Sequence, residues 1–321
     1  MLATVNIKNF KSIGDLSLQA KRVNIFIGEA NAGKSNIVEA LALLSARTFL
    51  ASMKEVLRFR TTADLFFDQE IAKELAVQAG DRRFSLRFTG ADYLAREGAE
   101  EHMGGSFKMD HSGAVTEASK LYPGTSIRYY LFKQLALFPN DQPGVLNPPF
   151  GDNLVAVLHT NETLRQRVGA VMRSRGFRLM LKPTEKELLI AKDVDDELCS
   201  YPWGSVAETL RRVVFLMAVL ETNREATLLL DEPDSNIWPF YAKYFAERMG
   251  LDQGNQFFIA THNPYLLSSI VEKTLVQDLN VFVTTMEGFE TKVKQVPEKN
   301  LPELLELDSD AFFNLARLVA E

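Results

Sequence analysis

The sequence predicts an α/β fold with a mostly parallel central sheet. Three observations carry the prediction. A glycine-rich stretch, Gly28-Glu29-Ala30-Asn31-Ala32-Gly33-Lys34-Ser35-Asn36, lies between the apolar run Val23–Ile27 and the helical pattern that starts at Ile37. Two further apolar runs, Thr227–Leu230 and Gln256–Ala260, each end in polar residues and are separated by the amphipathic stretch Pro239–Met249. Wholly apolar strands suit burial on both faces, and strands alternating with helices imply parallel pairing.

The elements follow in order. Residues 2–8 alternate and predict a strand, Ser12-Ile13-Gly14-Asp15 a turn, and Leu16–Ala20 and Val23–Ile27 two more strands. The helix after the glycine-rich turn is expected from Lys34 to about Ala46. Residues 51–79 are mixed, with a loop around Asp64–Asp68. Arg83–Thr89, Gly104–Met109 and Ala114–Glu117 predict an antiparallel side sheet, the last two joined by His111-Ser112-Gly113. Pro139, Pro143, Pro148 and Pro149 argue against a long helix in residues 121–153. Asn161–Arg173 predicts a helix stopped by Gly176, and Phe177–Leu181 with Glu187–Lys192 a hairpin across Pro183-Thr184. Val206–Glu221 reads as an apolar helix, and Pro239 suits the first turn of Pro239–Met249. The remainder is expected to hold a strand pair and helices such as Ala311–Val319.

The 321 residues are 46% hydrophobic and 24% charged, an ordinary globular composition that suits one large domain or two lobes sharing a core. A formal net charge of -6 argues against a wholly basic nucleic-acid or membrane-surface binder and leaves room for local patches. With Cys199 the one cysteine, an intrachain disulfide and a multi-cysteine zinc site are excluded. The first residues lack a basic segment followed by a long apolar core, so no signal peptide is expected. Apolar runs such as Val213–Leu220 are short of a bilayer span, and a cytoplasmic protein without a membrane partner is expected.

The chemistry starts at the glycine-rich stretch, which fits G-x-x-x-x-G-K-[ST] between a strand and a helix. Its amides and the following helix N-terminus would point donors and positive dipole at a polyphosphate. Lys34 would add a charge on the β- and γ-phosphates, and the Ser35 hydroxyl would ligate Mg²⁺. Thr227-Leu228-Leu229-Leu230-Asp231-Glu232-Pro233 has the pattern of a Walker B strand, with Asp231 in the Mg²⁺ shell and Glu232 placed to deprotonate a water. By itself it also suits an acidic turn after a core strand; a P-loop in the same chain favours the first reading. His262 follows the apolar run Phe257–Ala260, at the strand ends where open α/β sheets bind ligands, within reach of a γ-phosphate or the attacking water.

Together these residues resemble the ATP-binding-cassette (ABC) class of ATPases, and within it the RecF/SMC/OLD branch. The ending G-K-S-N, the opening strands V-N-I-K-N-F-K-S-I, D-E-P-D at 231–234 and A-T-H-N-P-Y-L-L at 260–267 all carry that resemblance. It spans residues 1–48 and 121–269 and extends to the small bacterial AAA family ATPases often found in phage-defence or toxin–antitoxin operons. It implies a P-loop NTPase fold: an ABC-type ATPase head with a mostly parallel central sheet, an antiparallel β side sheet and a helical lobe. Residues 1–50 and 200–321 would form the P-loop core, and 51–199 an inserted lobe. It also implies ATP with Mg²⁺, a homodimer sandwiching two nucleotides, and output to an effector such as a nuclease or toxin, or to nucleic acid.

One departure stands out. Such ATPases carry a signature like L-S-G-G-Q that reaches the partner's γ-phosphate. Here the matching place is Trp203–Arg212, where Glu208-Thr209 takes the Ser-Gly position and Ser205 or Thr209 would supply the hydroxyl. The alternative is a plain core helix with a solvated arginine pair. A degenerate signature leaves open an ATP sensor that hydrolyses slowly or not at all; a transporter subunit is disfavoured by G-K-S-N. The segment between Ser35 and Ser205 lacks sustained heptads, so no long coiled coil is expected. Arg165, Arg167, Arg173, Arg175, Arg178 and Lys182 form a basic stretch without a single helical stripe, read as solvated charge or as a nucleic-acid or partner contact.

Overall fold

A computed structural model describes residues 1–99, 102–119, 125–195, 197–307, 312 and 314–319. β1 (Thr4–Phe10) and β2 (Ile13–Gln19) pair antiparallel, from Thr4↔Gln19 to Phe10↔Ile13. The turn is at Lys11-Ser12, ahead of the expected Ser12–Asp15, with Asn9 and Lys11 at φ 56° and 48°. β3 (Val23–Gly28) leads into the glycine-rich loop and α1 (Lys34–Ala42). α1 ends at Ala42 rather than Ala46: the chain tightens into a 3-10 stretch, Leu43–Ser52, broken at Ser45 and Phe49, before α2 (Met53–Leu57). The helical run Lys34–Leu57 is long and apolar enough to cross a bilayer, contrary to the expectation from apolar runs, but 67% of its apolar window is buried inside the fold.

β4 (Leu75–Ala79), β5 (Arg82–Phe88), β6 (Tyr93–Ala99), β7 (His102–Met109) and β8 (Val115–Ala118) extend the antiparallel sheet in the order β2-β1-β4-β5-β6-β7-β8. β6 is hidden in the sequence because Arg96, Glu97 and Gly98 blur its alternation, although Tyr93 and Ala95 are buried. β9 (Ile127–Tyr130) precedes the proline-rich segment, of which residues 121–124 lie outside the described residues. α3 (Leu154–Thr160) and α4 (Glu162–Arg173) follow; the Asn161 side chain accepts the Leu164 amide at 3.0 Å as the N-cap of α4. β10 (Arg178–Lys182), β11 (Glu187–Val194) and β12 (Glu197–Pro202) form a three-stranded antiparallel sheet, one strand more than the expected hairpin.

α5 (Glu208–Thr222), β13 (Thr227–Asp231), α6 (Pro239–Leu251), β14 (Gln256–Ala260) and α7 (Pro264–Lys273) then alternate as expected. β15 (Leu279–Glu287) and β16 (Glu290–Gln295) form a hairpin, followed by α8 (Leu301–Leu307) and α9 (Leu315–Leu318). Of the helix expected at 311–319, residues 311 and 313 lie outside the described residues.

The central sheet has the order β16-β15-β3-β14-β13-β9. Every pair is parallel except β15–β16. Its strands are apolar throughout because both faces are covered. Val23, Ile25, Ile27, Leu228, Leu230, Phe257 and Ile259 join one core with α3–α7. Their neighbours Phe26, Leu229, Phe258 and Ala260 join the other, with α1 and the antiparallel sheet. Each such Val, Leu, Ile or Phe side chain contributes roughly 1.5–3 kcal/mol of burial. Strand pairing crosses the expected division at residues 50 and 199: β9 completes the central sheet beside β13, whereas β1 and β2 belong to the antiparallel one. Without β9, the backbone groups of β13 on that side would form an open edge.

Candidate active site

β3, β14 and β13 are parallel neighbours, so their C-terminal ends share one edge of the sheet. The glycine-rich loop, Thr261-His262 and Glu232 follow those three ends. The loop is held by close approaches that only glycine permits. At Gly28 (φ 151°) a Cβ would lie 2.2 Å from the Thr284 carbonyl oxygen, and at Gly33 (φ 94°) 1.9 Å from Thr291 Oγ1. Gly33→Ala is therefore expected to lower the melting temperature and the ATP affinity together. The left-handed backbone alone costs an L-residue about 1–2 kcal/mol. Wild-type values for both quantities would show that the loop tolerates a Cβ.

The Lys34 ammonium donates to the carbonyls of Gly28 (2.9 Å) and Glu29 (2.8 Å), folded back over the loop. Burial lowers its pKa from the usual lysine range, against the pull of Glu232 and Asp231. Ser35 Oγ donates to Asp231 Oδ1 at 2.9 Å. Burial pushes the Asp231 carboxyl up to about 6, a tendency the Ser35 hydrogen bond and Arg58 oppose. These two oxygens fit Mg²⁺, a hard cation that takes one or two protein oxygens plus phosphate and water. No cluster of three or more His, Cys, Asp or Glu able to hold a metal exists among the described residues.

Glu232 takes a left-handed backbone (φ 46°), and its amide donates to the Ala260 carbonyl at 2.8 Å. Its Oε2 accepts from Ser235 Oγ at 3.1 Å, and its Oε1 lies 3.1 Å from His262 Nδ1. Thr261 Oγ1 donates to buried Asp234 Oδ1 at 3.0 Å, tying the turn after β13 to the end of β14. Carboxylate and imidazole are thus presented side by side at the sheet edge, beside the glycine-rich loop. Such strain at a non-glycine position is typical of sites where geometry serves chemistry.

The signature region is arranged differently from its expectation. α5 begins at Glu208, not Val206, and Ser205 is exposed in the short turn before it. Thr209 Oγ1 donates to the Asn236 carbonyl at 2.7 Å, so this hydroxyl is engaged within its own chain. Glu208 accepts from Asn236 Nδ2 (3.2 Å) and Arg212 Nε (2.7 Å). Ser205, Glu208 and Thr209 line neither cleft beside the loop. The reading of Arg211 and Arg212 as a solvated pair fails: Arg211 is buried, and Arg212 lies 4.6 Å over the Phe132 ring in the cleft shared with Ser35, Asp231 and Glu232.

Sequence reasoning also missed a buried cluster. Glu39, inside α1, is fully buried and paired with Lys11 and Arg58. Burial raises the Glu39 carboxyl against the pull of Lys11 and Arg58, and lowers Lys11 against the pull of Glu39. Arg58, in a left-handed conformation, also lies 3.9 Å from Asp231 Oδ2 and lines both clefts. The one signal was a lone carboxylate within an apolar helix, which burial obliges to find cations. The basic stretch is largely engaged: Arg165 bonds the Leu158 carbonyl, Arg167 pairs with Glu221, and Arg178 with Asp193.

This fold and this constellation of residues are those of an AAA-type ATPase domain, the class that two family models identify. The chain belongs to the family described as "AAA domain, putative AbiEii toxin, Type IV TA system" (AAA_21), whose model matches residues 54–268. A second model, the AAA ATPase domain AAA_15, matches residues 1–89. Over 105 residues the chain is 37% identical to uncharacterized protein MJECL10 of Methanocaldococcus jannaschii, taking in 29% of this chain and 44% of that protein. The match thus spans less than half of that relative's length. An SMC head solved with the C-terminal winged-helix domain of ScpA superposes with a TM-score of 0.51 at 15% identity, over 92% of this chain and 97% of that one. At that identity the likeness is one of fold. The recombination mediator RecF bound to ATP gives a TM-score of 0.47 at 13% identity, over 92% and 99% of the two chains.

Proposed function

We propose that this protein is an ATP-hydrolysing switch that works as a nucleotide-sandwich dimer and signals to a separate effector. One observation carries the reading: Lys34, the Ser35–Asp231 pair and the Glu232–His262 pair converge at one sheet edge. In this reading residues 28–36 wrap the phosphates, Lys34 neutralises the β/γ charge, and Ser35 and Asp231 hold Mg²⁺. The metal, when bound, supplies charge neutralisation on the β- and γ-oxygens. Glu232 takes a proton from water as its oxygen attacks the γ-phosphorus; the bond to the β–γ bridging oxygen breaks, and ADP and phosphate leave. His262 orients that water or contacts the γ-phosphate.

Exposed aromatics support the dimer. Trp238 (68% exposed) and Phe240 (69%) open α6, and Tyr265 (50%) opens α7, on the edge that carries Glu232 and His262. Large aromatics of this kind are enriched at protein interfaces. The partner's Ser205–Thr209 region would then complete each site. The family description names a putative AbiEii toxin and a type IV toxin–antitoxin system, which supports an output of toxin or phage-defence type for this OLD-like reading. A nuclease, a toxin or nucleic acid in DNA repair would each suit this output, in the cytoplasm where ATP is available. The engagement of Thr209 with Asn236 favours one second reading, a slow or non-hydrolysing ATP sensor.

The test is ATP turnover per subunit against protein concentration, with light scattering in parallel. A rate that rises as a dimerisation isotherm is expected; a rate independent of concentration would refute the sandwich, and negligible turnover would favour the sensor. His262→Ala is expected to slow turnover by roughly 10–150-fold, a lost charge-assisted hydrogen bond of about 1.5–3 kcal/mol. ADP affinity should stay nearly unchanged; if it collapses as well, His262 is structural.

A further inference from the structure

The β15–β16 hairpin is fixed to the phosphate loop at three points. Thr284 of β15 pairs with Gly28, and buried Thr291 of β16 packs against Gly33. The Thr291 amide donates to the Ser12 carbonyl at 2.7 Å. Ser12 Oγ lies 2.6 Å from Thr291 Oγ1 and accepts from Asn36 Nδ2 at 2.7 Å. From this mounting the hairpin runs on past the loop. Met286, opposite Thr291 in the register, lines a cleft of ≈ 490 Å³ with Lys11, Ser12, Asn31 and Lys34. That volume lies within the range of small-ligand sites.

The tip of the hairpin is unusual. Gly288 and Phe289 are at φ 57° and 64°, the geometry of a two-residue type I′ turn. Such turns favour Asn or Gly at the central positions, because a bulky L-residue with positive φ is strained. Phe289 is 87% exposed and gains almost no burial in return, and a Cβ on Gly288 would meet nothing within 4 Å. Stability within this chain therefore does not account for an aromatic ring here.

Its position suggests what does. In the order β15-β3-β14-β13, Glu232 and His262 lie on one side of the loop and the hairpin on the other. With its γ-phosphate at Glu232, as proposed above, a nucleotide that fills the cleft on the far side of the loop would carry its base toward the hairpin. We propose that the β15–β16 hairpin is the base-binding wall of the site, with Met286 packing against the nucleoside and Phe289 stacking on the purine ring. The proposal rests on the P-loop reading above, and adds a ligand subsite to it.

Calorimetry with two ligands tests it: Mg²⁺–ATP, and inorganic tripolyphosphate with Mg²⁺, which has no base. Phe289→Asn puts a favoured residue into the turn, so its melting temperature should equal or exceed that of the wild type. Its ATP affinity should fall about 10-fold or more, in the range of a lost base–aromatic stack, with tripolyphosphate affinity unchanged. Phe289→Trp should restore ATP affinity. An unchanged ratio of the two affinities in Phe289→Asn, with the wild type binding both ligands, overturns the base wall alone. A wild type that binds neither ligand overturns the P-loop reading and the base wall with it.

Discussion

Glu232→Gln should bind ATP as the wild type does and turn it over about 10²–10⁴-fold more slowly, the usual span for a lost general base. The substitution is nearly isosteric, and an amide can still accept from Ser235 and face His262, so the strained turn after β13 keeps its contacts. What it loses is the capacity to take a proton from water. Binding should stay intact because the residues proposed to hold the phosphates, Gly28–Asn36, follow a different strand, β3. In a sandwich dimer, a subunit that binds but does not hydrolyse should accumulate in the nucleotide-bound dimer, visible as a doubled mass in light scattering with ATP. Turnover at the wild-type rate would remove Glu232 from the base role. Slow turnover without a trapped dimer would keep the chemistry and discard the sandwich.

Lys34→Ala should abolish measurable ATP binding in calorimetry. The ammonium bridges two carbonyls of the loop, so its loss removes both the cation proposed to face the phosphates and a brace across the loop. Unchanged affinity would overturn the P-loop assignment. The same variant also tests whether the active site is shared. A Ser205→Arg subunit places a bulky cation at the exposed turn before α5, and in a composite site its homodimer should be inactive, as should that of Lys34→Ala. Mixed, the two would form one whole site, from the intact loop of one subunit and the intact Ser205 turn of the other. Partial recovery of ATPase activity is expected. An active site complete in one chain predicts none, and light scattering separates that outcome from a failure to dimerise.

The positions of the glycine-rich loop, the acidic turn and the histidine were legible because each is local: an apolar strand, then polar residues where the strand ends. The position of a strand end in a parallel sheet does the rest, so three motifs far apart in sequence fall on one edge. The antiparallel side sheet was visible for a similar reason, through alternation in β5 and β7. β9 was not, since Ile127–Tyr130 acts as a core strand only because β13 has an open edge beside it. The length of α1 was misjudged for the opposite reason: the apolar pattern continues past Ala42, but packing turns the chain at Ser45.

By itself, then, the sequence determined the alternation of strands and helices from α5 to α7, the glycine-rich loop between a strand and a helix, and which residues stand at those strand ends. Those follow from backbone preferences and hydrophobic period, both set within a few residues. Only the tertiary structure decided that Glu39 is neutralised by Lys11 and Arg58, that Arg212 turns into the cleft, and that Thr209 spends its hydroxyl on Asn236. The same holds for the hairpin that brings Thr291 onto Gly33. Each of these joins groups distant in the chain, or one side chain to a backbone carbonyl across a gap. Burial forces such pairings, because a polar group removed from water must find a partner, and which partner lies in reach is fixed by how the sheets pack.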